Sequence, residues 1–201
     1  MKLNGLIDHT LLKPTAGEED ILKLCREVKK YQFCCVCVNP VWVKLAKAQG
    51  VRVGSTVGFP LGANTLEIKV AEIKQAVKDG ADELDVVMNK VEDIRFGIKS
   101  VVKAAQGRLV KIIIETCYLS NAEKVLAAKL IKAGGADFVK TSTGFGEGGA
   151  TVEDVRLLRK TVGEKFGVKA SGGIKTKEQA EAMVKAGANR IGTSSGIVIC
   201  Q

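Results

Sequence analysis

Three stretches of this chain carry the same punctuation: Val77-Lys78-Asp79-Gly80-Ala81-Asp82, Ile131-Lys132-Ala133-Gly134-Gly135-Ala136-Asp137 and Val184-Lys185-Ala186-Gly187-Ala188-Asn189. Each reads as the end of a helix, a glycine stop, a short turn and the start of a strand. The intervals from Gly80 to Gly135 and from Gly135 to Gly187 each leave room for two strand–helix units. β-branched and apolar runs predict strands over 6–12, 33–38, 51–57, 83–88, 109–115, 138–140, 167–171 and 190–193. Helical periodicity falls between them, opened by Glu18-Glu19, by Asn64, by the capping box Ser120-Asn121-Ala122-Glu123 and by Thr176. Strands in strict alternation with helices pack as one parallel sheet, because each crossover returns the chain to the same end.

At about 25 residues per unit, eight such units predict an α/β fold, a compact single-domain (β/α)8 TIM barrel over 1–201. Only a very short final helix fits after the eighth strand. The competing topology is an open doubly wound sheet. That fold would ask for a glycine-rich dinucleotide turn after the first strand, where Asp8-His9-Thr10-Leu11 stands instead.

In a parallel barrel the carboxyl ends of all strands meet at one rim, and catalytic groups gather there. The polar residues that fall at those positions are Asp8 and Thr10, Asp85 and Asn89, Glu115, Lys140 and Lys169. Glycine and serine loops follow the last strands as Gly172-Gly173 and Gly192-Thr193-Ser194-Ser195-Gly196. Such loops expose backbone N–H groups and suit an anion such as a phosphate. Gly144, after Lys140, opens a similar loop.

Lys140 is the odd residue of this set. Most lysines lie on solvated helix faces, but Asp137-Phe138-Val139-Lys140 places an ammonium at the end of a buried strand. Lys169 falls on the neighbouring strand. Two desolvated ammonium groups that close disfavour each other's charge, and a lysine with a lowered pKa is an amine nucleophile suited to a Schiff base. Asp85 would balance the remaining charge and move protons. A structural Lys–Asp–Lys ion network inside the barrel explains the same three residues equally well.

Composition narrows the partners. A net charge of +9 admits a polyanion, but the lysines are scattered at helical spacing and only nine aromatics are available for base stacking. Neither nucleic acid nor a membrane is expected as a partner, since no apolar run approaches a spanning length. The first residues carry no secretory signal, so a cytoplasmic protein with six reduced cysteines is expected. Cys34 and Cys37 have C-x-x-C spacing, yet a zinc site would need further ligands and the one histidine is His9. The cysteine-rich strand is read as buried packing, with no metal and no cofactor.

Taken together, the motifs resemble the deoxyribose-phosphate aldolase family. Phe138-Val139-Lys140-Thr141-Ser142-Thr143-Gly144-Phe145 is similar to that family's Schiff-base strand. Glu83-Leu84-Asp85-Val86-Val87-Met88-Asn89, Val168-Lys169-Ala170-Ser171-Gly172-Gly173-Ile174, Leu6-Ile7-Asp8-His9-Thr10-Leu11-Leu12-Lys13-Pro14 and Lys111-Ile112-Ile113-Ile114-Glu115-Thr116 match in the same order. The resemblance implies a class I, metal-independent aldolase that cleaves 2-deoxy-D-ribose 5-phosphate to D-glyceraldehyde 3-phosphate and acetaldehyde. It implies that Lys140 forms the imine and that Asp85 and Lys169 relay protons through a water. Gly172, Gly173, Gly192, Ser194 and Ser195 would hold the phosphate, with Gly144, Asp8 and Thr10 at the substrate. Cys37 matches a cysteine near the substrate in some members, although packing is its expected role. A homo-oligomer, dimer or tetramer, is expected by the same resemblance.

The match departs from many members at the carboxyl end. Those continue into a longer helix and a tail that carries a tyrosine, whereas the tyrosines here are Tyr31 and Tyr118. Proton transfer is therefore expected to be slower, or to rest on Asp85, Lys169 and water. Another Schiff-base lyase acting on a different sugar phosphate, and a basic protein that binds anionic partners, are the competing functions.

Overall fold

The computed structural model describes residues 2–88 and 90–201; Asn89, assigned to the rim above, lies outside the described residues. The chain runs through β1 (Ile7–Leu11), α1 (Glu18–Tyr31), β2 (Cys35–Val38), α2 (Val43–Ala48), β3 (Val53–Val57), α3 (Leu66–Lys78), β4 (Glu83–Val87) and α4 (Val91–Ala104). It continues through β5 (Leu109–Ile113), α5 (Asn121–Ala133), β6 (Phe138–Lys140), α6 (Val152–Val162), β7 (Gly167–Ser171), α7 (Lys177–Lys185), β8 (Arg190–Thr193) and α8 (Gly196–Cys200). The strands pair in sequence order and β8 closes on β1, so the sheet is a closed parallel barrel.

Local chemistry accounts for the helix starts. Ser120 and Thr176 accept from the backbone N–H three residues on, and Glu123 and Gln179 answer to the cap backbone. The observed cap of α3 is Thr65, one residue beyond the expected Asn64. The fifth strand stops at Ile113, short of the expected end. Glu115 cannot continue it, because its backbone is left-handed at φ 47°.

The apolar core is the shell between sheet and helices. Ile7, Val36, Val53, Leu84, Val86, Ile112, Val139, Val168 and Ile191 belong to it with helix residues such as Ile21, Ile73, Ile94, Ile131 and Leu158. Because side chains alternate along a strand, the intervening residues face the barrel axis. Barrel interiors of this class are usually filled by branched aliphatic side chains. Here Asp8, Glu83, Asp85, Lys111, Lys140, Lys169 and Arg190 occupy that space and are all buried. Burying so many charges is costly unless each is paired, so the pairing carries the geometry of the site.

Candidate active site

The register across β4 to β8 assembles the site. Asp85 lies opposite Lys111, Ile113 opposite Lys140, Lys140 opposite Lys169, and Lys169 opposite Arg190. Lys140 Nζ donates to Asp85 Oδ2 at 2.7 Å, and Lys169 Nζ donates to the same oxygen at 2.7 Å. Lys111 Nζ takes the other oxygen, Oδ1, at 2.8 Å. Asp85 is thus a bridge among three lysines, with the two expected catalytic amines sharing one carboxylate oxygen.

Below this layer the network continues. Lys169 also donates to Asp8 Oδ2 at 2.5 Å, and Arg190 Nη1 donates to Asp8 Oδ1 at 2.5 Å and Glu83 Oε2 at 3.1 Å. Lys111 pairs with Glu83 at 2.5 Å, and the half-exposed Arg52 reaches Glu83 from the opposite rim at 2.7 Å. The oxygens of Asp8 and Glu83 are therefore already spent on cations, although Cys35 stands close enough to complete a ligand triad.

The network joins four buried cations, Lys111, Lys140, Lys169 and Arg190, to three carboxylates, with Arg52 as a fifth cation at its edge. That surplus of positive charge is relieved most readily where burial is least compensated. Burial pushes the Lys140 ammonium below its ordinary pKa; Asp85 opposes the shift and Lys169 adds to it. Lys169 goes the other way. Burial would lower it too, but Asp8 and Asp85 outweigh burial and hold it well above the lysine range. Asp85 is kept well below the carboxylate range because Lys111, Lys140 and Lys169 together overcome its desolvation.

This corrects the expected reciprocal effect between the two lysines. Only Lys140 is depressed, burial is the main cause, and Lys169 is the charged member of the pair. Asp8, expected at the substrate, is completely buried beneath Lys169 and Lys111 and is not among the residues that line the cavity above Lys140.

A cavity of about 270 Å³ opens above Lys140 at the carboxyl ends of the strands. Thr10, Gly144, Gly172, Gly173, Gly192 and Ser194 line it, and Ser195 does not, lying instead at the start of α8. Gly172 and Gly173 take successive left-handed conformations, φ 87° and 78°, and a Cβ on Gly172 would stand 3.0 Å from Gly149 Cα. Only glycine lets this loop pass so close to its neighbour. At Gly192 a Cβ would lie 2.9 Å from Lys169 Cε, so the missing side chain is what gives Lys169 its place.

Several contributors escaped the sequence reading. Lys111, Glu83 and Arg190 were legible only as alternating strand residues. Lys13 and Lys175 join the cavity wall from adjoining loops. Thr143, also in the wall, is held by Glu115: its hydroxyl donates to Glu115 Oε2 and accepts from Phe145 N–H at 3.0 Å. Phe145 then meets Phe59 edge-on, with ring centroids 5.3 Å apart, at one side of the mouth.

Comparison with known proteins places this geometry in context. A family model described as DeoC/LacD family aldolase matches residues 5–201. A deoxyribose-phosphate aldolase of Thermococcus gammatolerans is 56% identical over 216 residues, covering 100% of this chain and 96% of the relative. One from Thermococcus kodakarensis is 58% identical over 210 residues, covering 97% and 94%. Among solved structures, a tetrameric deoxyribose phosphate aldolase from Aeropyrum pernix superimposes with a TM-score of 0.93. It is 38% identical, over 98% of this chain and 89% of that one.

Proposed function

We infer the chemistry from one premise: the chain belongs to the DeoC/LacD family of aldolases. Its reaction is the reversible cleavage of 2-deoxy-D-ribose 5-phosphate to D-glyceraldehyde 3-phosphate and acetaldehyde. The observation that carries the residue assignment is a buried lysine with a lowered pKa, joined through one carboxylate oxygen to a second lysine that stays charged.

The neutral amine of Lys140 attacks the aldehyde carbon of the open-chain sugar phosphate, and the carbinolamine loses water to form an iminium. The bond between the second and third carbons of the sugar, one removed from the iminium carbon, then breaks. Its electron pair moves to the iminium nitrogen, leaving an enamine on Lys140, while the departing hydroxyl loses its proton and becomes the second aldehyde. The iminium is the electron sink, so no step calls on a metal. Asp85 Oδ2 and Lys169, linked at 2.7 Å, exchange these protons with the substrate through a water. Protonation of the enamine and hydrolysis release acetaldehyde.

The N–H groups of Gly172 and Gly173 and the loop at Gly192 and Ser194 receive the phosphate, with Lys13 and Lys175 supplying charge. Thr10, whose hydroxyl donates to the Asp8 carbonyl at 2.8 Å, and Gly144 border the carbon chain. A homo-oligomer is supported by the tetramer of the Aeropyrum pernix relative. The six free thiols support a cytoplasmic location. No helix among the described residues is long and apolar enough to cross a membrane.

The test is to incubate the protein with acetaldehyde and borohydride and map the reduced adduct by mass spectrometry. Modification of Lys140 in the folded protein is expected; its absence refutes the assignment. A second measurement addresses Lys169. Its charge lowers the Lys140 pKa, so Lys169→Met should raise that pKa and move the acid limb of kcat/KM to higher pH. An acid limb that stays in place, or moves down, would count against the coupling.

A further inference from the structure

Outside the catalytic mouth, one other lysine is withdrawn from water. Lys69 sits in the first turns of α3, where its carbon stem packs on the end of β3: a Cβ on Gly58 would lie 3.2 Å from Lys69 Cε. The residue is only 2% exposed. Among the described residues, no hydrogen bond or ion pair reaches its Nζ. Burial pushes its ammonium below the ordinary lysine pKa, with Asp93 partly opposing the shift. Burying an ammonium without a partner is costly, which raises the share of neutral amine at a given pH.

The amine borders a cavity of about 190 Å³ between α3 and α4. Leu66, Met88 and Phe96 supply an apolar wall, and Glu92 and Asp93 supply carboxylates from the first turn of α4. The lining selects its ligand by exclusion. An anion would meet two carboxylates, and a purely apolar molecule would leave the amine unsatisfied. A small neutral carbonyl compound meets neither of these penalties and offers the amine an electrophile.

We propose that Lys69 is a second carbonyl-reactive amine, which takes short-chain aldehydes as imines in the cavity between α3 and α4. The Nζ lone pair attacks the carbonyl carbon, and the carbonyl oxygen gains a proton to give a carbinolamine. Loss of that oxygen as water, with the proton supplied by solvent, leaves the C=N bond. Acetaldehyde as the aldehyde at hand rests on the aldolase reading. The amine and the cavity do not.

The experiment treats the intact protein with acetaldehyde and borohydride at neutral pH and quantifies each lysine-containing peptide. N-ethylation of Lys69 severalfold above that of an exposed lysine such as Lys23, saturating with aldehyde concentration, is expected. Labelling at or below that of exposed lysines overturns the proposal, whatever happens at Lys140. The two peptides are read separately, so failure at one site does not mask the other. Gly97→Ala provides the second check, because its methyl would stand 3.0 Å from Leu66 Cδ1 and from Met88 Cε inside the lining. It should cut Lys69 labelling severalfold while Lys140 labelling is kept; undiminished Lys69 labelling would show that the cavity takes no part.

Discussion

Lys140→Leu should abolish turnover of 2-deoxy-D-ribose 5-phosphate, with a loss of about 10⁴-fold or more, while the barrel stays folded. The chemistry begins with a bond to this nitrogen, and nothing else in the cavity can replace it. Lys169 is held charged by Asp8 and Asp85, so its nitrogen has no lone pair to offer. Lys13 and Lys175 stand on exposed loops, and neither joins the Asp85 bridge. The fold should tolerate the change because Lys140 is the surplus cation of the network. Removing it leaves Asp85 with Lys111 and Lys169, and every carboxylate still has a cationic partner. Steady-state assay together with circular dichroism separates the two expectations. Residual turnover within tenfold of wild type would assign the imine to another residue.

That balance of charge also explains how much of the site could be read beforehand. Lys140, Lys169 and Asp85 stood out because each is a charged residue inside a run of strand formers, and a period of two sends all three to one face. The barrel followed from alternation and glycine stops, which are local signals. What could not be read was partnership across the barrel. Asp8 meets Lys169 and Arg190 over sequence separations of 161 and 182 residues, and only closure of β8 on β1 creates those contacts. Without Asp8 in view, repulsion between the two lysines looked mutual. With it, Lys169 is stabilised and Lys140 alone is released. Lys69 was hidden for a related reason: a lysine between Ile68 and Val70 has the look of a solvated helix position, and only the packing of α3 on the end of β3 buries it.

Asp85→Asn should separate imine formation from turnover. The carboxylate raises the pKa of Lys140, so its loss leaves burial and Lys169 acting alone and makes the amine more nearly neutral. Borohydride trapping of acetaldehyde on Lys140 should therefore persist, with its acid limb shifted to lower pH. Turnover should still fall by about 10²- to 10⁴-fold, because the bridge that carries protons between Lys169 and the substrate is gone. Stability should fall as well. Three buried lysines lose their shared counter-ion, and breaking a buried pair from one side costs about 3–5 kcal/mol. The same linkage gives the wild-type protein a pH signature. Asp8 and Asp85 both have folded pKa values below their unfolded ones, so their stabilisation is complete above the unfolded carboxylate range, near pH 4, and is lost as pH falls towards the folded values. Urea titrations from pH 7 to pH 3 should show that loss in wild type and a smaller acid dependence in Asp85→Asn, where one of the two carboxylates no longer titrates. If trapping disappeared together with turnover, Asp85 would be needed to form the imine, and the division of labour between nucleophile and proton relay would be wrong.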